Sequence, residues 1–199
     1  MYIDLRYRST ERLEEVARIA EKLGYRIIGV EGLDKVQVLN GITFIPRRTS
    51  SDISELVKIK RNVLRAYLIR SPEDLKSYPR LRKLAVIVSL SRTAFHALTL
   101  KHVERLAVLG LPVEVAIRDV YEAVRERRYL RGLDYLVSAA RSGRLELVAC
   151  SGASKNIELL HPKIIISTLI ELGLDEVTAL KAVTSAPAKV ARGLGYGIK

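Results

Sequence analysis

Residues 2–30 read Y-I-D-L-R-Y-R-S-T-E-R-L-E-E-V-A-R-I-A-E-K-L-G-Y-R-I-I-G-V. Two short apolar runs, at 2–5 and 26–30, flank a segment in which Leu13, Val16, Ala17, Ala20 and Leu23 recur with i, i+3, i+4, i+7 spacing. The runs are nearly continuous in apolar character, as parallel strands buried on both faces require. The spacing between them lays one apolar stripe along a helix. Ser9 or Thr10 opens that helix and Gly24 closes it. The stretch is a βαβ unit, which sets the class as α/β with a parallel sheet.

Outward from this unit, similar runs recur at 36–39 continuing to 43–45, and at 65–69, 84–90, 113–117 and 145–150. A second helix begins at Asp52, whose carboxylate can cap the first turn while Glu55 reaches back. It turns Ile53, Leu56, Val57 and Ile59 mostly toward the core. Further helical patterns cover 98–109, closed by Gly110, a stretch within 120–140, and 162–172, 175–183 and 187–191. Pro162 and Pro187 suit first-turn positions, where no backbone donor is lost. No repeat, low-complexity tract or linker interrupts the pattern, so residues 1–199 read as a single domain. About seven or eight strands with helices between most of them allow either an open doubly wound sheet or a closed (β/α) barrel.

The chain has 199 residues, and its 48% hydrophobic content suffices for a core without disulfides. Its 34 Lys and Arg against 22 Asp and Glu give a formal charge of +12, which points to a polyanionic partner, nucleic acid before membrane surface. Cys150 is the single cysteine; lying in an apolar run, it reads as a buried thiol in a reducing cytoplasm. No apolar run approaches the roughly 20 residues that span a bilayer. The opening M-Y-I-D-L-R lacks the apolar core of a signal peptide, so the chain reads as neither secreted nor membrane-spanning. Gln, Met and Cys occur once each beside 28% charged residues, a balance expected of thermophile proteins.

In either parallel fold the carboxyl ends of all strands share one face, where ligands bind. Arg6 follows the first run, Arg47 and Arg48 follow I-T-F-I-P, and Arg70, Arg92 and Arg118 follow later ones. Lys155 lies beyond the last. These side chains should converge on phosphate, although with 34 basic residues some would follow strands by chance. A second basic feature is the span 58–83, where Glu73 and Asp74 are the only acids and Arg61, Arg80 and Arg82 can grip phosphate bidentately, as can Arg8 nearer the N-terminus. Within 118–131, bases interleave with Tyr121 and Tyr129, which share nearly one helical face and suit a core or interface better than base stacking.

Residues 147–162, L-V-A-C-S-G-A-S-K-N-I-E-L-L-H-P, raise the question of Ser151, Lys155 and His161 as catalysts. A-C-S-G-A is not a G-x-S-x-G elbow, and Ser with Gly at a strand end makes a turn. The histidines are His96, His102 and His161; the first two are six apart and would point to different sides of one helix, and the third reads as a turn residue. No Walker A or G-x-G-x-x-G element is present. No catalytic residue, metal ligand or cofactor is therefore assigned.

Several elements together resemble one family, protein component 3 of archaeal ribonuclease P, related to the thirty-kilodalton subunit of eukaryotic ribonuclease P and MRP. They are Asp4-Leu5-Arg6 before an amphipathic helix ending Leu23-Gly24-Tyr25, then Pro112-Val113-Glu114-Val115 before an Arg-Asp helix start. Ser151-Gly152-Ala153 and the proline-to-L-G-L run from Pro162 to Leu174 complete the match. The resemblance implies a TIM-barrel-like (β/α) barrel, distorted or not, related to the polymerase and histidinol phosphatase (PHP) hydrolases. It implies an RNA-binding subunit that pairs with ribonuclease P protein component 2 and other protein subunits. Such a subunit supports a catalytic RNA in removing 5′ leaders from precursor tRNA, with Mg²⁺ held by RNA and substrate. The hydrolase relatives open with a His-x-His metal pair, and here Ile3-Asp4-Leu5-Arg6 supplies no histidine. The rival readings are a free-standing metal-dependent phosphoesterase on the same barrel and a pure protein-interaction scaffold.

Overall fold

A computed structural model describes residues 1–126 and 130–196, the side chains of 77–79 excepted. Seven strands run parallel: β1 (Tyr2–Tyr7), β2 (Tyr25–Glu31), β4 (Ile42–Ser50), β5 (Leu64–Ile69), β6 (Ile87–Leu90), β7 (Val113–Ala116) and β8 (Leu147–Cys150). The short β3 (Gln37–Leu39) pairs antiparallel with β4, so the run that the sequence continued from 36–39 into 43–45 is a hairpin turning at Asn40-Gly41. Helix α1 (Leu13–Lys22) links β1 to β2, α2 (Ile53–Lys58) links β4 to β5, and α3 (Tyr78–Leu84) links β5 to β6. Between β6 and β7 lie α4 (Ala94–Ala97) and α5 (Leu100–Leu109). Between β7 and β8 lie α6 (Ile117–Arg125) and α7 (Arg131–Arg141). The chain ends with α8 (Pro162–Glu171), α9 (Glu176–Val183) and α10 (Ser185–Gly193).

The parallel strands follow one another in the sheet in chain order, β1-β2-β4-β5-β6-β7-β8. A doubly wound sheet reverses its order at a switch point, whereas an order that advances in one sense curls the twisted sheet toward closure. The result is a nearly closed TIM-barrel-like barrel. At its seam the Arg8 amide donates to the Ala153 carbonyl (2.8 Å) and the Ser151 amide donates to Asp4 Oδ2 (3.0 Å), in place of a ladder between β8 and β1.

Inside, Ile3, Leu5, Ile27, Ile45, Leu64, Ala66, Ile87 and Val148 form an apolar layer, closed at the amino end of the strands by Ala186, Val190 and Ala191 of α10. Outside, α1 covers β1, β2 and β4 through Val16, Ala17 and Ala20, while the later helices cover the outer faces of β5 to β8. Burying a Val, Leu or Ile side chain contributes about 1.5–3 kcal/mol, so these layers carry the fold.

Several local expectations are corrected. Ser9 Oγ accepts from the Glu11 amide (3.1 Å) in a turn, and α1 starts after Arg12, which takes a left-handed conformation (φ 53°). Asp52 caps α2 by accepting from the Ser54 amide (2.7 Å), but Glu55 accepts from Ser50 Oγ instead of reaching back. Only Leu56 of α2 is fully buried, and Val57 is 60% exposed. The helix expected within 120–140 is two helices, α6 and α7. His161 caps α8 through Nδ1, which accepts from the Lys163 amide (3.1 Å), with Pro162 in the first turn as expected. His102 belongs to α5, where its Nδ1 accepts from the Thr99 amide (3.1 Å), and His96 lies on the separate α4.

Candidate functional site

Above the apolar layer, at the carboxyl ends of the strands, the barrel interior becomes ionic. Side chains alternate along a strand, so Ile45 in β4 places Arg47 on the same inward face. The sequence reading ended this strand before Arg47; β4 continues to Ser50 and carries the arginine inside with no exposed surface. Arg47 Nη1 donates to the Leu5 carbonyl (2.6 Å) and to Glu114 Oε1 (2.6 Å), Nη2 donates to Glu114 Oε2 (2.7 Å), and Nε donates to Thr49 Oγ1 (3.0 Å). Ser89 Oγ adds a further donor to Glu114 Oε2 (2.7 Å). This fork on a buried carboxylate satisfies both ions, the condition under which such a pair can persist in an interior. Burial alone would push the Glu114 carboxyl up, but the Arg47 charge and hydrogen bonds, helped by Arg6, bring it down to about 2.

Arg6 bridges from β1 to the start of α6. Its Nη1 lies 3.2 Å from Asp119 Oδ2 and 4.0 Å from Glu114, and Arg8 Nη2 meets Asp119 Oδ1 at 2.6 Å. Asp4, fully buried, accepts from the amides of Arg6 (3.0 Å) and Ser151 (3.0 Å), and burial still raises its pKa. Gly152 adopts φ 71°, and a Cβ there would lie 2.8 Å from that of Ala116, so the Ser151-Gly152 step is a turn that fits only without a side chain. Ser151 is fully buried, with its Oγ accepting from the Ala153 amide (3.2 Å). The Cys150 thiol is likewise buried, and burial pushes its pKa up.

The expected phosphate contacts thus fall into three settings. Arg6 and Arg47, expected at the strand ends with the others, lie inside the barrel mouth, where Asp119 and Glu114 hold them. Arg118, Arg92 and Arg48 are partly exposed and paired. Arg118 contacts Glu122 (3.1 Å), Ser154 Oγ (2.9 Å) and Glu158; Arg92 contacts Glu122 (3.4 Å) and Glu126 (3.0 Å); Arg48 contacts Asp34 (2.8 Å) and the Leu33 carbonyl (2.8 Å). Arg70 and Lys155 are exposed, and their side chains form no ion pair among the described residues. Thr93 Oγ1 donates to the Arg70 carbonyl (2.9 Å), and Glu158 accepts from the Lys155 amide (3.1 Å), so a rim runs from Arg70 through Arg92 and Arg118 to Lys155. Arg48 stands apart beside Leu33 and Asp34.

The carboxylates that complete this layer, Glu114, Asp119, Asp4 and Glu31, were missed as site residues. The available signal was Glu114 itself, a lone acid inside the apolar Pro112-Val113-Glu114-Val115 run, which demands a buried cation. Chemically the layer offers little to a substrate. Glu114 is too weak a base and has no exposed surface, while Asp4 has both oxygens engaged. Among the described residues no group of three or more His, Cys, Asp or Glu is arranged to hold a metal, and no helix is long and apolar enough to cross a membrane. Tyr121 Oη shares a hydrogen bond with Thr168 Oγ1 (2.9 Å), tying α6 to α8, while Tyr129 lies outside the described residues.

No protein-family model matches this sequence, and no curated protein matches it. Chains of solved structures do match, among them one from an assembly. That assembly is described as the cryo-EM structure of archaeal ribonuclease P with mature tRNA. The TM-score is 0.74 at 12% identity, over 99% of this chain and 96% of that one. The likeness covers the whole barrel and shows a shared fold.

Proposed function

We propose that this chain is a protein subunit of ribonuclease P, of the component 3 kind, which binds the RNA and breaks no bond by itself. The observation that carries this reading is the end-to-end likeness to a chain of an archaeal ribonuclease P structure. It is supported by the +12 charge and by a barrel mouth in which Arg47 and Arg6 occupy the carboxylates that a metal would need. A free-standing phosphoesterase would have to expel those guanidinium groups first.

In this reading the chain works in the cytoplasm beside component 2 and the other protein subunits. Its cations neutralise phosphates and release counterions, favouring the compact RNA that removes 5′ leaders from precursor tRNA. Mg²⁺ belongs to the RNA and substrate. Arg70 and Lys155, with Arg92, Arg118 and, apart from the rim, Arg48 after exchange of their carboxylate partners, contribute phosphate contacts, and Arg6 and Arg47 hold the mouth that presents them. The test is reconstitution of precursor-tRNA cleavage by ribonuclease P RNA and the remaining protein subunits, with and without this chain. Cleavage at lower Mg²⁺ in its presence supports the reading. Turnover of phosphate esters by the purified chain with Mn²⁺ or Zn²⁺ overturns it.

A further inference from the structure

The bases at the barrel mouth are largely neutralised by carboxylates, whereas those of the flank formed by α2, α3 and the turns below them are not. We infer that the main RNA-backbone surface is the basic ridge at the amino ends of β5 and β6, on the opposite end of the barrel from the strand-end rim. This rests on the reading of the chain as an RNA-binding subunit and names the surface that reading uses.

Three observations carry it. First, Lys58, Lys60, Arg61, Arg80, Arg82 and Lys83 are all exposed, and none forms an ion pair among the described residues. Second, the strand register brings them together. β5 and β6 are paired neighbours with Ala66 opposite Ile87, and the Val86 amide donates to the Arg65 carbonyl (2.9 Å). Lys60 and Arg61 lead into the amino end of β5, and Arg82 and Lys83 into that of β6, so both pairs sit at the same end of neighbouring strands, which lie about 4.8 Å apart.

Third, the acids of this flank are engaged at its other end. Asp74 accepts from the amides of Arg70 (2.7 Å) and Ser71 (3.0 Å), Asp52 caps α2, and Glu55 binds Ser50. The flank is therefore polarised, with capped acids toward the mouth and unpaired bases at the opposite end. Bases in the last turn of a helix also complement its dipole, which accounts for Lys58, Arg82 and Lys83 singly. It does not account for Lys60 and Arg61, which lie beyond α2 in the turn below β5. A cluster of unpaired Lys and Arg on one ridge fits the closely spaced phosphates of structured RNA, with arginines able to grip them bidentately.

The experiment compares the full chain with two variants, one carrying K58A, K60A, R61A, R82A and K83A and the other R70A, R92A and K155A. Each is titrated against ribonuclease P RNA and against a duplex RNA hairpin over a range of salt concentrations. Thermal melting is measured alongside, and any variant that melts early is replaced by a version with glutamine at the same positions. The ridge variant should lose at least about tenfold in affinity for ribonuclease P RNA, with its log–log salt slope reduced by about 3 or more, since each lost phosphate contact removes about 1. The rim variant should change less than about threefold. A ridge variant that binds as the parent does, beside a rim variant that fails, overturns the ridge while leaving an RNA-binding subunit intact. A parent chain that binds neither RNA overturns the functional reading, and the ridge with it.

Discussion

Glu114 shows how strongly one residue can depend on another. It shares its fork with Arg47 at 2.6 and 2.7 Å, and neither side chain has exposed surface. Glu114→Gln keeps the shape but leaves a buried guanidinium without a counterion, and should lower unfolding stability by about 3–5 kcal/mol in a denaturant titration. Replacing both partners in an R47M/E114M chain should recover more than half of that loss, because no lone charge then remains inside. Acid titration follows from the same pair. The folded Glu114 sits at about 2, below its ordinary 4.5, so its contribution is complete above about pH 4.5 and is lost as pH falls toward 2. Asp4 has the opposite sign: burial raises its pKa, so what it contributes is present below its ordinary 3.8 and declines as pH rises above it. In E114Q the acid limb of a pH–stability curve should be visibly flatter between pH 4.5 and 2. An unchanged limb would show that Glu114 does not govern it.

The strands and their order of appearance were legible in the sequence, since each parallel strand is a short apolar run whose Val, Ile and Leu content reports burial on both faces. Helix boundaries were less so, because tertiary contacts set them. The stretch through 117–141 carries a continuous helical pattern, yet α7 must start afresh to press Gly132 against α4. A Cβ there would lie 2.9 Å from the carbonyls of Ala94 and Phe95, a contact that propensity cannot foretell. β1 and β2 approach as closely at Gly29, where a Cβ would stand 2.3 Å from the Leu5 carbonyl, next to the register shift of β1. Gly29→Ala should therefore cost more than about 3 kcal/mol or prevent folding, since backbone must move. Gly143 tests the alternative. It has φ 72° with nothing near its missing Cβ, so alanine there adds only backbone strain and should cost about 1 kcal/mol. Similar losses at both positions, measured by thermal or denaturant unfolding, would refute the steric account of Gly29.

At the scale of the molecule, the sequence left open whether the sheet closes, because closure depends on which strand sits beside β1, and no local pattern encodes that. The strand-end bases were legible as a set, but the burial of Arg6 and Arg47 among them was not. Whether Arg47 faces solvent or Glu114 depends on β4 running on to Ser50. The seam between β8 and β1 shows what that closure rests on. The amides of Arg8 and Ser151 cross it, to the Ala153 carbonyl and to Asp4, while Asp119 anchors both Arg6 and Arg8 from α6. A barrel joined by isolated bonds on one side and by full ladders elsewhere should open first on that side. In native-state hydrogen exchange the amides of Arg8 and Ser151 should therefore open at lower free energy than those of Ile28 and Phe44 in the paired β2 and β4. Asp119→Asn, which weakens both arginine anchors, should widen that gap by about 1–2 kcal/mol. Equal protection of the four amides would mean that the barrel opens as a unit and that the seam is not its weakest side.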